Sequence, residues 1–130
     1  MTTNNAMSAY LYNHVLTQYL TTNPVYVALF TTAPTANNTG TEITGGGYVR
    51  QQGTFVVNGN IAQNSATINY PVATANWTGV AYFGVYDSVN GGNLLFWGAL
   101  EDSTGKTISY TLTASDSISF PANSITITLD

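Results

Sequence analysis

An antiparallel β-sandwich or jelly roll carrying one N-terminal α-helix is the architecture to which this sequence points. Three observations carry that reading. Short runs of alternating apolar and polar residues recur after Pro24, separated by turns rich in Gly, Asn and Asp. One window near the N-terminus, free of Gly and Pro, has helical spacing instead. The chain has 130 residues and a mass of 13.8 kDa, enough for a single domain over 1–130 whose core needs no disulfide staples.

The helix is expected over 5–21. Met7, Leu11, Val15 and Tyr19 recur there at a spacing of four, with Tyr10, His14 and Leu16 alongside. This apolar stripe should pack on the rest of the chain. Asn4 or Asn5 can cap the start. Pro24 stops the helix, because the residue before a proline avoids helical angles.

The β body is expected over 25–129, in about eight strands. From Val25 to Thr32, Val25, Val27 and Leu29 alternate with Tyr26, Ala28 and Phe30. Both faces are apolar, which places the strand centrally. A loop from Ala33 to Gly47 follows. Tyr48 to Val57 is the second strand, and Asn58-Gly59 is a hairpin signal leading into Ile61 to Tyr70. Trp77 to Asp87 is a further strand, in which Gly79 and Gly84 suggest bulges or close packing. Asn90 to Asn93 turns into Leu94 to Leu100, an almost wholly apolar run expected to be central. Asp102 to Gly105 turns again. Lys106 to Thr113 sets Ile108, Tyr110 and Leu112 against polar partners, and Asp116 to Phe120 follows. In Ser124 to Leu129, Ile125, Ile127 and Leu129 face inward. Phe83, Phe96, Phe120 and Trp97 lie inside apolar runs and are assigned to the core.

Composition excludes several functions. Only Arg50 and Lys106 are basic, against Glu42, Asp87, Glu101, Asp102, Asp116 and Asp130, giving a net charge of −4. Such a chain cannot neutralise a nucleic-acid backbone or adhere to an anionic membrane. Thr, Asn and Ser number 21, 14 and 9, so the surface is coated with neutral hydroxyls and amides. No apolar run approaches the ~20 residues of a membrane span. The first residues carry neither a basic region nor an apolar core, so no secretory signal is expected and folding in a cytoplasm is. With no cysteine there is no disulfide, zinc-thiolate site or thiol chemistry.

Catalytic inventory is thin. His14 is the only histidine, and beside an apolar stripe it reads as a packing or capping residue. No serine lies in a strand-turn-helix elbow. Glu101 and Asp102 are adjacent and read as a solvated turn rather than an acid/base pair; Glu42 sits in the long loop, and Asp87 ends a strand. The spaced oxygen ligands of a calcium loop are not visible. Gly45-Gly46-Gly47 lacks the lysine and following helix of a phosphate loop. No enzyme, cofactor or metal is expected. Aromatic residues are the richer signal. Tyr48 and Arg50 near the triple glycine, Trp77 near the Pro71 to Asn76 connection, and Tyr10 and Tyr19 on the helix are the candidate partner contacts.

The strand motifs in order are more telling than any one residue. They run Tyr26 to Pro34 (YVALFTTAP), Gly40 to Gln51 (GTEITGGGYVRQ), Tyr82 to Asp87 (YFGVYD), Gly92 to Leu100 (GNLLFWGAL), Ile118 to Ala122 and Ile125 to Thr128. From about Met7 to Leu129 the chain resembles a family of small tailed-bacteriophage structural proteins. Its members share an N-terminal helix, a YVALFTT-P strand, a GGGYxRQ loop and a GGNLLYWGAL strand. They are called tail-fibre or head decoration proteins. The resemblance implies a virion component, assembled in a bacterial cytoplasm, rather than an enzyme.

Lacking a heptad segment or a β-helix repeat for a fibre shaft, the chain is read first as a capsid cement protein. It would bind the major capsid protein or other virion proteins and stabilise the head. It is expected to be a homo-oligomer, with a trimer favoured by analogy to decoration proteins near threefold axes. The alternative is a tail or tail-fibre component binding a host-surface glycan. An exposed aromatic cluster with an Asp in one concave site favours the glycan. A flat apolar patch around the helix favours cementing.

Overall fold

The computed structural model describes residues 1–130. Helix α1 spans Ala9–Leu20, and Ser8 caps it, its Oγ accepting from Leu11 N at 3.2 Å. The cap is thus Ser8 rather than Asn4 or Asn5, because the helix begins at Ala9 and both asparagines precede it by four residues or more. Ser8→Ala removes that bond. The expected cost is about 1 kcal/mol, read as a fall in Tm of a few degrees. An unchanged melt would mean that the frayed first turn contributes nothing.

Eleven strands follow the helix: β1 Val25–Phe30, β2 Gln51–Gly53, β3 Phe55–Asn58, β4 Ile61–Asn64, β5 Ile68–Asn69, β6 Trp77–Val80, β7 Tyr82–Tyr86, β8 Leu94–Ala99, β9 Tyr110–Leu112, β10 Ser119–Phe120 and β11 Thr126–Thr128. They form antiparallel sheets in the orders β2-β1-β7-β8, β11-β4-β3, β10-β5 and β6-β9. The strands outnumber the expected eight because three long runs each bend from one sheet into another. Tyr48–Val57 breaks at Thr54, Ile61–Tyr70 breaks after Asn64, and Trp77–Asp87 breaks at Ala81. Asn64 holds one of these corners. It is fully buried and fully satisfied: its amide donates to Ala66 O and Pro121 O, and its Oδ1 accepts from Ile125 N. Side-chain bonds of this kind allow a strand to turn without stranding backbone polar groups.

Strand β1 is central, between β2 and β7, and its two faces serve two cores. Val25, Val27 and Leu29 join Phe55, Ala62, Trp77, Phe83, Val85, Ile125 and Ile127 in a cluster of 20 buried residues. Ala28 and Phe30 join Tyr86 in a smaller cluster on the opposite face. Gly84 permits this second core: a Cβ there would lie 3.0 Å from both Leu94 Cδ1 and Phe30 Cε1. Gly79, at φ +71°, sits where the β6–β9 register shifts between Trp77 and Val80. The extra β6 residue lets Trp77 and Val80, three apart, both face the core, while on β9 Leu112 is buried and Tyr110 exposed, against the expectation that both face inward. The hairpin between β3 and β4 forms, but its two-residue turn is Gly59-Asn60, one residue later than Asn58-Gly59, and Asn58 pairs with Ile61.

The structure departs from the expected packing at the helix, at β8 and at Trp97. The helix buries Leu16 and Leu20, with Tyr12 and Val15 half-buried, and packs on β3 and β4. The buried row is 12/16/20, and in the expected row 7/11/15/19, Leu11 and Tyr19 are exposed. The two rows lie about 100° apart on one helix, and both are apolar. Strand β8 is an edge strand paired only with β7, not a central one, and Trp97 on it is 43% exposed rather than core. No helix is long and apolar enough to cross a membrane.

Candidate functional site

Two polar features stand out. The first is a bracket that fixes the long loop. Glu42 Oε1 accepts from Arg50 Nη2 at 2.9 Å, and Glu42 Oε2 accepts from Arg50 Nε at 2.9 Å and from Tyr48 Oη at 2.6 Å. Arg50 Nη1 donates to Ser88 O at 3.0 Å and Gly91 O at 2.8 Å in the β7–β8 turn. The guanidinium lies 3.7 Å over the Tyr86 ring, and Tyr86 donates to Asn38 Oδ1. Tyr48 Oη also accepts from Leu29 N at 3.0 Å.

Burial, then the Glu42 carboxylate, pushes the Tyr48 phenol far above its ordinary range, so it remains a donor. Burial would lower Arg50, but the bond and charge of Glu42 outweigh it and its pKa is raised. Four of the five guanidinium donors are committed inside the chain and the residue is 8% exposed. Arg50 is therefore a strut and offers nothing to an anionic ligand.

The same loop is tied down by Trp77. It is fully buried, and its Nε1 donates to Gly46 O at 2.9 Å. Gly46, at φ +60°, is required there, since a Cβ would lie 2.7 Å from Nε1. Tyr70 Oη donates to Val27 O at 2.7 Å nearby. Tyr48, Arg50 and Trp77, expected as exposed anchors, thus lie in the interior lock of the 33–50 segment. Their aromatic and polar character suits both roles, and only burial separates them. Tyr10 and Tyr19 are exposed; Tyr10 stacks on His14 with ring centroids 5.9 Å apart.

The second feature is a cleft of about 420 Å³ between the Glu101–Asp102 turn, β9 and the segments around β10 and β11. Phe83, Leu100 and Phe120 are buried beneath it, and Tyr110, 47% exposed, stands at its side. Asp102 Oδ1 accepts from Thr104 Oγ1 at 2.6 Å, Thr104 N at 2.8 Å and Lys106 N at 3.1 Å. These bonds, the Thr104 hydroxyl foremost, hold its pKa below the usual range and leave Oδ2 without an intramolecular partner. The Glu101 carboxylate has no hydrogen bond within the chain, and Ser119 and Ser124 add hydroxyls to the lining. Carboxylate acceptors beside an aromatic ring suit a polyhydroxylated ligand.

In sequence Glu101 and Asp102 read as a plain turn and Tyr110 as an inward residue, yet all three line the cleft. Nothing in the alternation of Ile108, Tyr110 and Leu112 marks Tyr110 as the exposed member. The C-terminal walls come from residues distant in the chain. No three His, Cys, Asp or Glu side chains converge as a metal site.

A family model described as Podophage GP4 fiber I protein gp80 matches residues 2–128. No curated protein matches the chain.

Proposed function

The chain belongs to the podophage GP4 fiber I protein family and is a structural protein of the phage virion, and on that premise we propose that it is a fibre component whose cleft holds a sugar of the host surface. The observation carrying this reading is that Tyr110, Glu101 and Asp102 line one concave cleft, with the Glu101 carboxylate and Asp102 Oδ2 making no hydrogen bond within the chain. An aromatic ring offers its face to the C–H side of a sugar, while the carboxylates accept from vicinal hydroxyls. Two carboxylates and no cation in the cleft repel acidic polysaccharides, so the ligand is a neutral glycan.

The test is binding of purified host polysaccharide, followed by amide chemical shifts and calorimetry. Shifts should concentrate at 101–110 and 118–126. Tyr110→Ala should weaken binding roughly tenfold with an unchanged melt, in line with the loss of one stacked ring. Equal binding by Tyr110→Ala, or shifts confined to another face, would remove the proposal.

Head cementing remains the second reading, favoured by the exposed Leu11 and Tyr19 flanking the half-buried Val15 and by the scarcity of charge. Gold-labelled antibody on intact particles separates the two. Label on fibres supports the first, and label spread over the head, on the capsid protein lattice, supports the second.

A further inference from the structure

We propose that the free edge of β8 is the surface on which a second copy of this chain docks, strand against strand, about a two-fold axis. β8 has one neighbour, β7. Leu100 N donates to Ala81 O, and the register runs unbroken from Tyr82↔Ala99 to Val85↔Phe96. By the alternation of an antiparallel ladder, the backbone N–H and C=O of Trp97 point away from β7. That outward row needs a strand, and this chain supplies none.

Both flanks of the edge are apolar. On one side Leu95 and Phe96 face Val15 and Tyr19 of α1 across a groove of about 430 Å³. The helix row left uncovered by its own sheet therefore borders the open strand. On the other side Trp97 lies opposite Gly84, which in turn lies opposite Ala28. The indole has no bulky cross-strand neighbour to cover it and stays 43% exposed.

Charge decides the occupant. Neither α1 nor β8 contains a charged residue. Asp87, at the end of the groove, is held by the backbone and side-chain amides of Asn93 at 2.7 and 2.9 Å. Edge strands are ordinarily protected from self-pairing by lysine, proline, bulges that twist the edge away or shortness. β8 runs six residues with no lysine or proline, and its one irregularity lies at the Leu94 end, between Val85 and Tyr86. The opposite edge of the same sheet, β2, is three residues long and reads Gln-Gln-Gly. A second β8 matches the first on every count: extended, uncharged and apolar on both faces. An isologous contact satisfies both copies at once and joins two four-stranded sheets into one. This differs from the threefold arrangement expected by analogy.

The test is sedimentation equilibrium of the purified chain over a range of concentrations. The expected species is a reversible dimer of twice 13.8 kDa, with slowed hydrogen exchange at the Trp97 amide as it forms. Trp97→Lys and Tyr19→Lys should each return the monomer mass with unchanged circular dichroism and a cooperative melt. Tyr10→Lys, on the side of α1 away from the groove, should leave the dimer intact. Should Trp97→Lys fail to fold, Tyr19→Lys on the exposed helix surface decides alone. A monomer at every concentration, a trimer, or a dimer indifferent to Tyr19→Lys overturns the proposal. A monomer whose Trp97 amide is protected only in assembled virions would assign the edge to another virion protein instead.

Discussion

Replacing Arg50 by Met should cost the chain about 3–5 kcal/mol of stability, because it leaves the part-buried Glu42 carboxylate without its cation. The change removes more than one ion pair. Arg50 joins the 42–50 segment to Ser88 O and Gly91 O across the sheet, and its guanidinium covers the Tyr86 ring. The two carbonyls lose their donors, and Tyr48 alone remains on Glu42 Oε2. For a domain of this size the expected fall in Tm is roughly 10–20 °C. Urea melts of wild type, Arg50→Met and the double variant Arg50→Met/Glu42→Leu measure it. The double variant should recover much of the loss, since it removes the orphaned charge. A single-variant cost below about 1 kcal/mol would mean that the pair behaves as a solvated surface bridge.

Stability should also collapse at alkaline pH. Burial raises the Tyr48 and Tyr70 phenols far above their ordinary value of 10.0. Above pH 10 the unfolded chain releases these two protons while the native chain retains them. Native protein then binds more protons than unfolded protein, and unfolding free energy falls as pH rises. Below about pH 10 the contribution is fully present. Above it the loss approaches roughly 2.7 kcal/mol per pH unit for two phenols. Chemical denaturation at intervals from pH 8 to 11.5, with tyrosinate absorbance followed in parallel, gives the slope. A flat stability profile, or full tyrosinate absorbance from a still-folded chain, would contradict the burial of these hydroxyls. Tyr70→Phe should halve the slope, although it also removes the bond to Val27 O.

Much of the local structure is legible in the residues. The Asn58-Gly59 signal marks a true hairpin because few residues other than Gly and Asn take the positive φ found at Gly59. Gly84 marks a close approach because no larger residue fits beneath Phe30 and Leu94. The 25–30 run is apolar on both sides because it is buried on both sides. The bracket is not legible. Glu42 and Arg50 lie eight residues apart, but the carbonyls that complete the site are 38 and 41 residues further on from Arg50. The cleft is likewise assembled from separated segments, and its aromatic wall, Tyr110, is exposed although it alternates in step with the buried Leu112.

By itself, the sequence determined a mainly β antiparallel chain with one N-terminal helix, a surface of hydroxyls and amides too poor in charge for nucleic acid, and membership of a phage virion family. Tertiary structure alone decided which aromatics are struts and which are exposed, which of two adjacent helical rows is covered, and that an almost wholly apolar strand ends at an open edge. The physical reason is that periodicity records which side chains share a face. What lies against that face is supplied by residues elsewhere in the chain. Trp77 reads in sequence as a partner contact and Trp97 as core, yet Trp77 is fully buried with its Nε1 bonded to Gly46 O, while Trp97 stands on an edge that nothing in its own chain covers.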